Sequence, residues 1–115
     1  GSVSPVPFAD ALLMEKVRDR IILPTLHGLK KDEIPYRGFI FFGLIRVHGD
    51  PYVIEYNCRM GDPETESVMI RLESDLLQHC LDCHANRLDP GSVRISPAHA
   101  ATICLVSGGY PGDFE

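Results

Sequence analysis

The sequence has no surplus of positive charge: 11 Lys and Arg stand against 16 Asp and Glu, a formal net charge of -5 with five His counted neutral. That balance leaves no basic footprint for nucleic acid or an anionic membrane, so any phosphate binding has to be local. Long apolar runs are missing too. The longest, Phe39 to Ile45, falls far short of the roughly 20 residues that a membrane-spanning helix needs. Gly1 to Phe8 shows no basic stretch leading into an apolar one, so no secretory signal is expected in it. No internal repeat is visible. Cysteine is sparse, and Cys58, Cys80, Cys83 and Cys104 lie within apolar-periodic stretches; reduced thiols are expected rather than a disulfide scaffold.

What remains is a globular composition. Of 115 residues, 44% are hydrophobic and 23% charged, enough for one modest domain or pieces of two. The first residue is not Met, and the apolar run before Gly108 to Glu115 has no successor. Both features read as a piece of a longer protein.

Asp10 followed by Leu13, Val17 and Ile21 predicts an N-capped amphipathic helix that Pro24 ends or kinks, with Thr25 to Leu29 adding about a turn. Lys30, Lys31, Asp32 and Glu33 are expected in a solvated loop. Arg37 to Val47, dense in Phe, Ile and Leu around a lone Gly43, predicts a strand buried on both faces. His48 to Pro51 reads as a turn and Tyr52 to Cys58 as the returning strand of a hairpin. Arg59 to Thr65 is a loop and Glu66 to Leu72 a short helix. Ser74 is the expected cap of a helix carrying Leu77, Leu81 and His84 on one stripe. Asn86 to Ser96 is linker-like, and Ala100 to Ser107 is a last strand before the turn at Gly108 to Gly112.

The segment Val53 to Thr65 carries the chemistry. Side chains alternate along a strand, so Glu55, Asn57 and Arg59 are expected on one face and Ile54, Tyr56 and Cys58 on the other. Two oxygen ligands at i and i+2 sit roughly 6.5 to 7 Å apart at Cα, close enough to converge on a hard cation such as Mg²⁺, while Arg59 offers a fixed positive charge to phosphate or carboxylate. A solvated strand face is the simpler account of the triad alone. Against it, Gly61, Asp62 and Pro63 pin a turn directly after the triad, and Asp62 and Glu64 bring further carboxylates to the same strand end.

Ile54-Glu55-Tyr56-Asn57-Cys58-Arg59-Met60-Gly61-Asp62-Pro63-Glu64-Thr65-Glu66 resembles the signature of the phosphoribosylamine-glycine ligase family of ATP-grasp enzymes. The likeness extends, in order, over nearly the whole chain: Ser4-Pro5, Ile22 to Thr25, Pro35 to Gly38, Gly43 to Ile45, Leu72 to Leu76 and Ser107 to Gly112. It implies an α+β architecture: residues 1–92 as the C-terminal portion of an ATP-grasp domain, an antiparallel sheet with packed helices, and residues 93–115 as a linker and the first strand of the following domain.

The resemblance also implies a cytoplasmic enzyme of purine synthesis. Its substrates are ATP, glycine and 5-phosphoribosylamine, with no nucleic acid or membrane partner. Glu55 and Asn57 become the Mg²⁺ or Mn²⁺ ligands, and Arg59 the catalytic cation. Gly61, Asp62, Pro63, Glu64 and Thr65 become the loop facing phosphate and substrate, with Leu44 and Ile45 touching ATP. Many ATP-grasp enzymes carry another acidic ligand near the position of Gly43, Leu44 and Ile45; this chain does not. The family's N-terminal domain and the half bearing the nucleotide lysines are also missing, so the chain alone is expected to be inactive. A non-catalytic metal- or nucleotide-binding module that kept the hairpin is the alternative.

Other signals are weaker. Cys80-Leu81-Asp82-Cys83-His84 has the spacing of a c-type haem attachment and, with His79, a set of zinc donors, but no second Cys pair sits at finger spacing. Buried helix thiols are the expectation. Ser107-Gly108-Gly109 lacks the order of a nucleophile elbow, and Gly108 to Gly112 lacks the lysine of a P-loop. His27, His48 and His99 have no acidic or serine partner at a recognisable spacing.

Overall fold

The computed structural model describes residues 1–113. The elements run β1 (Ser2–Ser4), α1 (Ala11–Val17), a π-helical segment (Arg18–Ile22), α2 (Leu23–Lys31), β2 (Phe41–Val47), β3 (Asp50–Asn57), α3 (Glu64–Arg71), α4 (Leu76–His84), a 3-10 turn (Pro90–Ser92) and β4 (Ala100–Thr102). They form two separate two-stranded antiparallel sheets, β1 with β4 and β2 with β3.

Asp10 caps α1 as its sequence suggests, its Oδ1 accepting from the Leu13 amide at 2.8 Å. Leu13, Val17 and Ile21, spaced to fall on one stripe, are the buried apolar residues among those described. Pro24 does not end the helix. The amide of Leu23 reaches back five residues to the Arg18 carbonyl, a wider turn that re-phases the ladder just before Pro24. The proline then occupies the first turn of α2, where a missing N–H is tolerated. The helix runs on through Lys30 and Lys31, expected in a loop, and closes with the Asp32 amide on the Gly28 carbonyl at 2.9 Å.

The hairpin turns on two residues. His48 and Gly49 both have positive φ, 50° and 84°, the type I′ geometry whose twist matches that of the flanking strands; glycine takes the second position without strain. Asp50 and Pro51, read as turn, therefore already belong to β3 and pair with Val47 and Arg46. The expectation of a strand buried on both faces is overturned. Phe41 to Leu44 are half-buried and Ile45 to Val47 exposed, because α1 packs on one side of the pair and, among the described residues, no layer covers the rest.

Asp50 ties the helical arm to the hairpin. Its Oδ1 accepts from Lys16 Nζ at 2.7 Å and from Arg20 Nη1 at 2.9 Å, and Lys16 also reaches the Gly49 carbonyl at 2.8 Å. The Lys16 hydrogen bond, aided by the charges of Lys16 and Arg20, holds the Asp50 carboxyl below its ordinary value. A depressed carboxyl contributes stability that is present above its unfolded value, about 4, and is lost as pH falls through the folded one. Asp50→Asn is therefore expected to lower the thermal midpoint at pH 7, with the gap to wild type closing below about pH 4. A gap constant across a pH series would show that the charge of Asp50 contributes nothing.

α4 is capped by Asp75, whose Oδ1 accepts from the Gln78 amide at 3.0 Å, and not by Ser74. The Ser74 hydroxyl is engaged elsewhere, by His79 Nε2 at 2.7 Å and the Arg94 amide at 3.0 Å. All four cysteines are free thiols, as expected, but they are not buried: Cys83 is half-buried and the others exposed. The last strand stops at Thr102 rather than Ser107, since its partner β1 is only three residues long and pairs Ser2 with Thr102 and Ser4 with Ala100. The stretch read as linker is joined back by a bridge between Leu72 and Ile95. The turn at Gly108 to Gly112 is present, with the Gly112 amide on the Gly109 carbonyl at 2.8 Å; Phe114 and Glu115, the end of that turn-rich stretch, lie outside the described residues.

The radius of gyration is 16.4 Å, against about 13 Å for a compact domain of this length. Large apolar side chains stand at the surface, Ile70, Ile103 and Leu105 at 77%, 82% and 94% exposure. The helices and sheets thus present faces for which no second layer is present among the described residues. No helix among them is long and apolar enough to cross a membrane.

Candidate functional site

The alternation of β3 places Glu55 and Asn57 on one face near the strand end, and the structure joins them: Asn57 Nδ2 donates to Glu55 Oε1 at 2.9 Å. Two hard oxygen-bearing groups are held together there with one formal negative charge between them. Asn57 is half-buried and Glu55 exposed. Arg59 does not continue the face. β3 ends at Asn57, the chain bends, and Arg59 Nη1 turns onto the carbonyl of Met60 at 2.9 Å.

Gly43, the lone glycine within the apolar run of β2, shapes this face. It pairs with Glu55, and a bulge follows between Gly43 and Leu44. A Cβ added at Gly43 would lie 2.8 Å from Glu55 Cγ, so the missing side chain is what lets the glutamate lie across β2. The signal was available: a lone glycine inside a strand marks a bulge or a close approach. Ser67, buried in α3, has no such signal in the sequence.

The loop after β3 is packed, not floating. Gly61 is buried, and a Cβ on it would fall 2.7 Å from Phe41 Cε2 and 2.9 Å from Glu64 Cβ. The Gly61 carbonyl accepts both the amide of Thr65, at 3.0 Å, and the Thr65 hydroxyl. Asp62 is exposed, while Pro63, Glu64 and Thr65 are half-buried. Glu64 and Glu66 occupy the first turn of α3, where carboxylates already complement the helix dipole; the helix end alone is no anion site. On the other side of the strand end, burial and then the neighbouring Cys58 thiol push the Tyr36 phenol up, and its hydroxyl donates to the Phe39 carbonyl at 2.6 Å.

Leu44 and Ile45 meet Glu55 and Glu64 along a cleft of about 510 Å³ between α1 and the hairpin, with Gly43 and Val17 among its walls. Asn57, Arg59, Asp62 and Thr65 are not among them. A second cavity, about 370 Å³, is lined by Met60, Leu72, Leu76 and His79 and has no carboxylate in its walls; of these two, the first is the one that Glu55 lines. No group of three or more His, Cys, Asp or Glu among the described residues is placed to hold a metal ion. Glu55 and Asn57 are nonetheless the donor chemistry Mg²⁺ takes, since that ion binds few protein carboxylates and fills its shell with water and phosphate oxygens.

Comparison with known proteins gives the family. Residues 1–65 match the family model described as phosphoribosylglycinamide synthetase, ATP-grasp (A) domain. The chain is 41% identical to a phosphoribosylamine-glycine ligase of Vibrio vulnificus (strain YJ016) and 38% identical to that of Escherichia coli (strain K12), in each case over 100% of this chain and 27% of the relative. It is also 41% identical to the bifunctional purine biosynthetic protein ADE1 of Schizosaccharomyces pombe, over 100% of this chain and 15% of that protein. The chain thus spans about a quarter of the length of the bacterial relatives it matches.

Proposed function

Because the chain belongs to the phosphoribosylglycinamide synthetase ATP-grasp (A) domain family, we propose that it forms the metal- and phosphate-binding end of a ligase that joins glycine to 5-phosphoribosylamine. In this reading residues 1–92 are the C-terminal portion of the ATP-grasp domain and residues 93–115 lead into the next. The 2.9 Å bond between Asn57 and Glu55 carries the proposal, because it keeps two hard donors side by side on a strand whose partner residue at Glu55, Gly43, leaves the glutamate room.

The reaction has two steps. A glycine carboxylate oxygen attacks the γ-phosphorus of ATP and the bond to ADP breaks, giving glycyl phosphate. The amine of phosphoribosylamine then attacks the acyl carbon, the bond to phosphate breaks, and the amine nitrogen loses a proton. Bound Mg²⁺ or Mn²⁺ would neutralise charge on the β- and γ-phosphate oxygens.

Glu55 and Asn57 would hold the ion. Arg59, one bond away from release at the Met60 carbonyl, would swing to the transferring phosphate and stabilise its developing charge. The packed Gly61 to Thr65 loop would set the acceptor in line, and Leu44 and Ile45 would wall the cleft against the nucleotide.

The test is an assay with ATP, glycine and phosphoribosylamine. A chain completed by the remaining ligase domains is expected to release ADP only when both other substrates are present, and the 115-residue chain alone to release none. Substrate-dependent ADP release by the chain alone would overturn the division of labour. Metal or nucleotide binding by a completed chain that shows no turnover would favour the non-catalytic module.

A further inference from the structure

α3 buries its serine and exposes its isoleucine. Ser67 is 2% exposed, the most buried polar residue described, while Ile70 on the same helix is 77% exposed. A buried hydroxyl is unfavourable unless bonded, and the short bonds of Ser67 Oγ all leave the helix: to Ser2 Oγ at 2.7 Å and Thr102 Oγ1 at 2.9 Å. Ser2 Oγ in turn donates to the Pro63 carbonyl at 3.2 Å. Each hydroxyl has one proton. If Ser2 gives its proton to Pro63, it accepts from Ser67, and Ser67 then accepts from Thr102. The Ser2 carbonyl, 3.5 Å from Ser67 Oγ, is too distant to compete with the 2.7 Å bond. With Ser2 bonded to Pro63, the hydroxyls run Thr102 to Ser67 to Ser2 to Pro63.

We propose that Ser67 is a positioning residue, the middle of this directed hydroxyl relay, which fixes the Pro63 carbonyl and with it the Gly61 to Thr65 loop. Its relevance to catalysis rests on reading that loop as substrate-facing. The relay couples the loop to β1 and β4, two strands that are remote from it in sequence. Arg71 reinforces the same docking, its Nη1 donating to Ser4 Oγ at 2.7 Å and its Nη2 to the Ser96 carbonyl at 2.8 Å.

The experiment uses the full-length ligase carrying this segment, with Ser67→Ala, Thr102→Val and Thr102→Ser. Valine keeps the branched shape and strand preference of threonine and removes its hydroxyl, donor and acceptor together; serine restores it. Ser67→Ala takes away the bond that holds the Ser2 hydroxyl on the Pro63 carbonyl, and losing a hydrogen bond of ordinary strength there should speed amide exchange over residues 61–65 about five- to tenfold; Thr102→Val, one bond further back, loosens Ser67 and should speed it by a smaller factor. Exchange over residues 41–57 should stay unchanged, and Thr102→Ser should behave as wild type. KM for glycine or phosphoribosylamine should rise by a similar factor with kcat kept, whereas a merely structural lesion lowers the active fraction, and so kcat, and leaves KM alone.

Wild-type exchange at residues 61–65 in folded Ser67→Ala and Thr102→Val overturns the relay. If Ser67→Ala does not fold, Thr102→Val decides by the same criterion. Faster exchange with both KM values unchanged upholds the relay and removes the substrate-facing reading of the loop.

Discussion

Glu55→Gln in the complete ligase is expected to cut turnover by two to three orders of magnitude at low Mg²⁺ while leaving the fold in place. The substitution keeps the shape of the side chain and its bond to Asn57, with an amide oxygen accepting in place of a carboxylate. It removes the one formal charge of the donor pair, and a hard divalent ion prefers an anionic oxygen to an amide. Loss of one well-placed electrostatic group costs about 3 to 4 kcal/mol in other enzymes, which sets the scale. Asn57→Ala, which takes away a neutral donor, should weaken apparent Mg²⁺ affinity less. Turnover measured against Mg²⁺ concentration checks both. Near wild-type turnover for Glu55→Gln at low Mg²⁺ would mean that this face is solvated and holds no ion.

Gly43→Val should separate stability from function. Valine suits a strand better than glycine, so the thermal midpoint is expected to hold or rise. Its Cβ, however, falls 2.8 Å from Glu55 Cγ, and the atom that must yield belongs to a side chain free to rotate. The glutamate would swing out of its place across β2. Displacing a ligand's support typically costs 10- to 100-fold in metal affinity, so the apparent Mg²⁺ requirement should rise by about that factor. Unfolding and Mg²⁺ titration on one preparation decide the matter. An unchanged Mg²⁺ requirement would show that the position of Glu55 is immaterial, and a lowered midpoint would show that the glycine serves the bulge instead.

The parts of this structure that were legible in the sequence are those with a short period and a local cause. Asp10 caps what it precedes, Leu13, Val17 and Ile21 share a stripe, and Glu55 and Asn57 share a face because side chains alternate along a strand. The errors have equally specific causes. At Pro24 the rule that proline breaks helices fails because the ladder shifts its reach at Leu23. At Ser74 and Asp75 two good caps are adjacent, and only the tertiary contacts of Ser74 with His79 and Arg94 decide between them. Arg59 was assigned to the strand face by extending alternation two residues past the end of β3. The pairing of β1 with β4 joins three-residue strands from opposite ends of the chain, and no periodic pattern that short identifies its partner. Ser67 belongs to the same class of contact: a serine in a short helix signals nothing until Ser2 and Thr102 are brought against it.

The wide turn at Arg18 to Ile22 has a consequence for how this helical arm tolerates insertions and deletions. A π segment behaves as one residue more than a regular helix needs, and each residue of an α-helix advances the side chains by about 100°. Five residues of a π turn advance the side chains by roughly as much as four of an α turn, so deleting one residue from Arg18 to Ile22 would restore a regular ladder and leave everything after it nearly in phase. Thr25, whose hydroxyl lies 3.4 Å from that of Tyr56, would go on facing the hairpin, as would Leu13 and Val17. The wide turn therefore absorbs its surplus residue locally, and Arg18 to Ile22 is the stretch of the arm in which a one-residue deletion disturbs the hairpin least, since the same deletion elsewhere would turn all that follows by about 100°.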